Sequence, residues 1–472
     1  MKILEDSLVF LPHGSVLNAS TLPLTFLDIY WFGFPPMQRL FFYDFPYPTS
    51  YFMQTVVPNL KSSLSLALQH FFPFAGNLVL PPPPQLPYIH FKDSNSVCFI
   101  AKESTVDFGH LIGDHGRRVE EFQVLLPKLQ PANTSTNGNG MKKLEKSLMA
   151  IQVTVFPNAG IALGVTFNHV VADGRAFIHF MKSWAFLNRS QGDSSFLNNF
   201  PPPDFNRDLI KDPQGQLAST FVKDKWGTEE LDTLPTNKLR FTFVIKRSQV
   251  ELLKNWVTTK LMEENESEKL RISTFVVTCA YMWVCLNKLQ ENETKHPSLS
   301  GDSHIVFSAD CRHHLKLPPT YFGNCIEPRF ATAKKTELVK EKGVIVAAKA
   351  IGRQVMELEE VGALREAEKW LSKHKEILKP GTHFISIAAS PKFGVYEIDF
   401  GWGRPRKTEV AHIGSLGSIS MAESREEESG VEFGLALSQE ELHSFNDAFH
   451  RGLQQLQYFM NSGIEPGWFT LQ

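Results

Sequence analysis

The stretch from residue 150 to residue 184 constrains the fold more than any other part of the chain. Two apolar runs, over 150–156 and 161–167, flank the turn-forming tetrapeptide Pro157-Asn158-Ala159-Gly160. This pattern predicts two strands joined by a hairpin turn. A helical pattern follows, with Phe177, Phe180, Met181 and Trp184 on one side. Strands and helices mixed in this way give an α/β or α+β protein. The same mixture recurs along the chain. Val57, Leu60, Leu64 and Ala67 mark a helix that ends at Phe71-Phe72-Pro73-Phe74-Ala75-Gly76-Asn77. Strands are expected over 239–245, 384–389 and 431–437, a buried helix over 272–286, and mainly helix over 331–378. Ser248-Gln249-Val250-Glu251 and Ser438-Gln439-Glu440-Glu441 have the spacing of helix-opening capping boxes. Surface loops are expected over 134–140, 262–269 and 291–303. At 472 residues the chain is about three times a typical domain of roughly 150. The expected fold class is therefore α/β in two lobes, residues 1–190 and 238–472, joined by a crossover over 191–237 rich in Asn, Pro, Asp and Gly.

Composition narrows the function. Lysine and arginine number 48 against 50 acids, a formal charge of −2. This balance argues against a dedicated nucleic-acid or membrane-surface binder. The five cysteines, Cys98, Cys279, Cys285, Cys311 and Cys325, form no CxxC pair and suit a reducing compartment. The opening residues Met1–Asp6 meet acids before any apolar run, so no secretory signal is expected there, and the apolar stretch over 272–286 is too short for a bilayer. A cytoplasmic monomer without a membrane span is expected. The 38 phenylalanines predict a bulky aromatic interior and an aromatic lining for any pocket cut into it.

The sharpest local feature is Phe167-Asn168-His169-Val170-Val171-Ala172-Asp173-Gly174, where an apolar strand gives way to a helix. A strand end fixes the backbone while the following loop exposes the imidazole. Histidine titrates near neutrality when unperturbed, which suits proton transfer and predicts a pH–rate profile governed by a group near pH 6.5. Asp173 could accept a hydrogen bond or pair with a cation, and Gly174 allows a tight turn. Spacing alone leaves a catalytic and a structural role open for His169, since the chain has 16 histidines. No HExxH motif is present and His313-His314 are adjacent, so no metal site is expected. Gly414-Ser415-Leu416-Gly417 lacks the first glycine of a nucleophile elbow, and neither a Walker loop nor a GxGxxG fingerprint occurs. A second motif, Asp399-Phe400-Gly401-Trp402-Gly403, reads as a strained turn over a packed indole.

Together these two motifs resemble the plant BAHD acyl-CoA-dependent acyltransferases. His169-x-x-x-Asp173-Gly174 is similar to the family's active-site motif and Asp399–Gly403 to its DFGWG motif. The resemblance spans nearly the whole chain, through Leu22-Pro23-Leu24-Thr25-Phe26-Leu27-Asp28 and Phe72-Pro73-Phe74-Ala75-Gly76-Asn77. Tyr321-Phe322-Gly323-Asn324-Cys325 and Ser390-Pro391-Lys392-Phe393 resemble the branch that acylates anthocyanins and other flavonoid or phenolic glycosides. The resemblance implies two chloramphenicol-acetyltransferase-like lobes, each a mixed sheet flanked by helices, with a channel between them. It implies acyl-CoA as co-substrate, no permanent cofactor, and His169 as general base without an acyl-enzyme. Asp173 would pair with Arg312, while Asp399, Gly401, Trp402 and Gly403 would be structural. Ser273, Thr274 and Asn324 would bind CoA; an ordinary helix N-cap is the alternative for Ser273 and Thr274, and a turn for Asn324. Malonyl is the slightly favoured donor, with Arg175 as a candidate anchor for its carboxylate, and hydroxycinnamoyl is the alternative. A catalytically inactive ligand-binding relative and a condensation domain are the competing classes.

Overall fold

The computed structural model describes all residues except 16–19, 83, 137–141, 194–200, 213–214, 226–236, 265–269, 294–300, 380–381, 414–416 and 463–472. The chain divides into two compact units. The first gathers Met1–Leu234, Asp310–Ile326 and Phe393–His412; the second holds Pro235–Ala309, Glu327–Lys392 and Ile413–Gln472. This differs from the continuous lobes 1–190 and 238–472 expected from sequence. Hydrogen bonding explains the difference: Lys407–Val410, late in the chain, pairs antiparallel with Met37–Asp44 and completes the first unit's sheet.

That sheet has six strands in the order Lys2–Phe10, Ser96–Glu103, Met149–Phe156, Gly160–Phe167, Met37–Asp44 and Lys407–Val410. It is mixed, because Ser96–Glu103 runs parallel to Met149–Phe156 while the other pairs are antiparallel. The predicted hairpin forms in register from Met149 opposite Phe167 to Phe156 opposite Gly160, and every residue of both strands is buried. Asn158 takes a left-handed conformation, φ 60°, in its turn. The helices Val57–His70 and Gly174–Arg189 pack together, and the Trp184 indole N–H donates to the Leu60 carbonyl and to Ser63 Oγ. A smaller antiparallel sheet runs Ser20–Pro23, Tyr88–Phe91, Asn77–Leu80, Lys142–Ser147, Asn133–Thr136. Its last strand occupies part of the stretch expected as the 134–140 loop, whose remainder lies outside the described residues.

In the second unit six strands follow the order Ile326–Lys334, Asp302–Asp310, His383–Ala388, Ser418–Glu423, Val431–Leu437, Leu239–Ile245. The core gathers on the helix Thr274–Glu293, where every residue from Val276 to Leu286 is buried, against Ile345, Ile351, Phe445 and Phe449. A helix buried on all sides explains why its sequence shows no polar face. The Ser438 capping box is present, with Ser438 N–H donating to Glu441 Oε2 at 2.6 Å and Glu441 N–H to Ser438 Oγ at 3.2 Å. The one expected at Ser248 is displaced: the helix is Arg247–Glu263, and Lys246 N–H donates to Gln249 Oε1. Expected helix over 331–334 is instead the end of the strand Ile326–Lys334. Among the described residues, no helix is long and apolar enough to cross a membrane.

Candidate active site

The strand Gly160–Phe167 ends at a tight turn built by Asn168. Its N–H donates to the Leu148 carbonyl, its Oδ1 accepts from Val170 N–H, and its carbonyl accepts from Val171 N–H. This turn seats His169, of which only 7 % is exposed. The next landmark is Asp173, the N-cap of the helix Gly174–Arg189, whose Oδ1 accepts from Ala176 N–H at 3.0 Å. A cap of this kind stabilises a helix by about 1 kcal/mol.

Asp173 carries more than a cap. Arg312 Nη2 lies 2.8 Å from Asp173 Oδ2 and donates to Oδ1 at 3.0 Å, and Cys325 N–H donates to Oδ2 at 3.0 Å. Both charges are buried, and Arg312 also donates to the Tyr321 and Gly323 carbonyls. The carboxylate thus ties helix start, arginine and the Tyr321–Cys325 segment together, and its oxygens are occupied. Gly174 has an ordinary helical backbone, so the reason for glycine is space: a Cβ there would sit 2.7 Å from the Phe393 ring. Gly323 likewise leaves room for the buried Arg207 guanidinium.

Asn324 is fully buried beside His169. Its Nδ2 donates to the His169 carbonyl at 2.9 Å and to Asp28 Oδ1 at 3.1 Å, while its N–H donates to Asp28 Oδ1 at 2.8 Å. Asp28 belongs to a four-residue helix, Phe26–Ile29, and forms a capping box with Thr25. Arg207 Nη1 is 3.8 Å from Asp28 Oδ2 and donates to Tyr321 Oη and the Phe322 carbonyl. Asp28 and Arg207 were missed as site residues. The Thr25-x-x-Asp28 capping spacing was a readable signal for the first. Nothing in the crossover sequence marks the second.

Trp31 is a further residue the sequence reading did not single out. Its indole stacks on the His169 ring with centroids 4.0 Å apart and planes 7° from parallel. His169 Nδ1 is enclosed without a hydrogen-bond partner among the described residues. Burial pushes the imidazole down to about 4; its own carbonyl, the Asn324 side chain and Asp28 oppose this, and the Arg39 charge adds to it. The ring is therefore neutral at physiological pH, well below the near-neutral titration expected from an exposed histidine. The Cys325 thiol is raised by burial and is no candidate nucleophile.

The second motif forms a clamp. Asp399 Oδ1 accepts from Gly401 N–H at 2.7 Å and Gly403 N–H at 2.9 Å, where the glycines have φ 99° and 85°. Asp399 Oδ2 accepts from Arg189 at 3.3 Å. The Trp402 ring packs on Phe400, Tyr43 and Phe45. The Tyr43 hydroxyl donates to the Ile398 carbonyl and Asn188 Nδ2 to the Phe400 carbonyl.

Ser273 Oγ accepts from Val276 N–H at 3.3 Å, as a helix N-cap does, and Thr274 opens the helix in the second unit. Arg175 donates to Asp310 Oδ2 at 3.0 Å. Gly414–Leu416 lies outside the described residues. No cluster of three His, Cys, Asp or Glu side chains capable of holding a metal occurs among the described residues.

Comparison with known proteins gives concordant results. The family model described as the Transferase family matches residues 5–451. The chain is 39 % identical over 471 residues to coumaroyl-CoA:anthocyanidin 3-O-glucoside-6''-O-coumaroyltransferase 1 of Arabidopsis thaliana, covering 96 % of this chain and 98 % of that protein. It is 35 % identical to malonyl-coenzyme A:anthocyanin 3-O-glucoside-6''-O-malonyltransferase of Dahlia pinnata, with 96 % and 98 % covered. The crystal structure of vinorine synthase superposes with a TM-score of 0.66 at 18 % identity, over 94 % of this chain and 96 % of that one, which establishes a shared fold.

Proposed function

We propose, from the premise that this chain belongs to the BAHD acyltransferases of the Transferase family, that it moves an acyl group from acyl-CoA to a sugar hydroxyl of an anthocyanin, flavonoid or phenolic glycoside. It is an acyltransferase of the class that transfers groups other than aminoacyl groups. The observation that carries the mechanism is the buried His169 imidazole, held just past a strand end and pushed by burial toward its neutral form. In this reading Nε2 takes the proton from the acceptor hydroxyl as its oxygen attacks the thioester carbonyl. The C–S bond then breaks, and the same proton passes to the departing CoA thiolate. Positioning and general acid–base catalysis suffice, with no covalent enzyme intermediate. Asp173 acts through structure, because Arg312, Cys325 and Ala176 occupy its oxygens. Ser273 and Thr274, at the start of a 20-residue helix, are our candidates for the CoA phosphates. The five free cysteines suit a reducing compartment, and we place the enzyme in the cytoplasm.

For the donor, two observations move the reading from malonyl toward hydroxycinnamoyl. Arg175, the candidate carboxylate anchor, is engaged by Asp310. Trp31 stacks on His169 and Phe34 packs on Trp31, with centroids 5.1 Å apart, an aromatic neighbourhood that suits a planar acyl group. Malonyl is the second reading, supported by Arg39, a buried cation whose field reaches His169. The test is a donor panel of malonyl-, acetyl-, coumaroyl- and caffeoyl-CoA against anthocyanidin and flavonol glucosides, with product mass detection. Coumaroylated product is expected from wild type. His169→Ala should lose about 100-fold or more in kcat. Equal turnover by the variant overturns the base, and malonylated product alone overturns the aromatic donor.

A further inference from the structure

We infer that Trp31 is a positioning residue for the reaction, its indole face holding the plane of the His169 ring and stabilising the imidazolium that forms when Nε2 takes the acceptor proton. This inference rests on His169 being the base. The geometry is specific: the two rings lie 4.0 Å apart and within 7° of parallel, so the negative π face of the indole covers one side of the imidazole.

Two features show why the site needs such a face. The charged form of a base enclosed this deeply is disfavoured, yet proton transfer must create it. The charged groups whose fields reach the ring are Arg39 on the strand Met37–Asp44, which opposes a second positive charge, and Asp28 on the helix Phe26–Ile29, which favours one. Asp28 is already committed to Asn324, Thr25 and Arg207. Tyr30, next to Trp31, is buried and held in its neutral form. The second feature is the cost of the indole itself. Its Nε1 is buried with no hydrogen-bond partner among the described residues. An orphaned donor is unfavourable, and phenylalanine would fill much of the same space without it. The larger, more electron-rich face is what tryptophan adds, and it is the best of the aromatic faces for a cation.

The sign of the effect follows directly. Removing the face weakens the charged form, lowers the basicity of His169, and moves the acid limb of kcat/KM to lower pH. Trp31→Leu is expected to shift that limb downward by about 0.4 to 1.5 pH units and to lower kcat at neutral pH about 2- to 30-fold. Trp31→Phe, which keeps a face but has no N–H, should fall between wild type and Trp31→Leu. Site-specific replacement of Trp31 by fluorinated tryptophans, which withdraws π density at nearly constant shape, should shift the limb stepwise and covers the case where Trp31→Leu does not fold. Rates are read by brief pH jumps from a neutral stock over pH 3.5 to 8. Lowered rate with an unmoved limb across the fluorinated series overturns the inference, as does a Trp31→Phe variant as impaired as Trp31→Leu, which would assign the role to the N–H. His169→Ala in the same assay separates the two readings. Full activity there removes the base itself, whereas an inactive His169→Ala beside an unshifted fluorinated series removes only the role of Trp31.

Discussion

Two buried carboxylates, Asp28 and Asp173, are each matched by a buried arginine, Arg207 and Arg312. Removing one member of such a pair strands the other charge in a low-dielectric interior. Asp173→Asn should therefore cost about 3–5 kcal/mol in urea unfolding. Replacing Asp173 and Arg312 together by apolar residues of similar size should recover much of that loss. His169 adds a pH dependence. Its folded pKa of about 4 lies below the unfolded value of about 6.5, so the unfolded chain takes up the proton first. The neutral imidazole's contribution is present above about pH 6.5 and is lost as pH falls to about 4, roughly 3 kcal/mol in all. His179 and His383, also pushed down to about 4 by burial, act in the same direction. Urea midpoints measured from pH 7 to pH 4 should fall for wild type, and His169→Gln should show a shallower fall.

Among the elements, the hairpin and the helix after it were legible because their pattern answers to one local requirement: apolar residues at most strand positions and on one helix face. The capping box at Ser438 was legible for the same reason. The element opening at Lys246 was not, since backbone geometry placed the cap two residues before the serine that matched the motif. His169, Asp173 and the Asp399 clamp could be found from motifs. Trp31 and Arg207 could not, because their proximity to His169 comes from packing between distant segments, and the Thr25–Asp28 capping spacing marked a helix start without its place beside His169. Gly174 illustrates the difference. Sequence offered a turn, whereas the structure shows a space filled by Phe393, about 220 residues later. Gly174→Ala should cost about 1–3 kcal/mol by overpacking. A double-mutant cycle with Phe393→Leu should show a favourable coupling, since the smaller side chain makes room for the new methyl group.

At the scale of the whole molecule, the first unit is assembled from three separated pieces of chain. The described part of 1–234 lacks Arg312 for Asp173, Asn324 for Asp28, and the strand Lys407–Val410. A fragment of residues 1–234 should show no cooperative thermal transition by circular dichroism, in contrast to the full chain. Such discontinuity was hidden in the sequence because linear order carries no mark of which sheet a short strand will join.

The edge formed by Met37–Asp44 also sets a clock during synthesis. Its Leu40-Phe41-Phe42-Tyr43 run leaves the ribosome about 360 residues before the strand that covers it. At roughly 5–20 residues per second, the nascent chain carries an uncapped aromatic edge for about 20 to 70 s. Over that interval the edge is open to strands of other nascent chains, so the yield of folded enzyme in a cell becomes a contest between translation speed and chaperone capture.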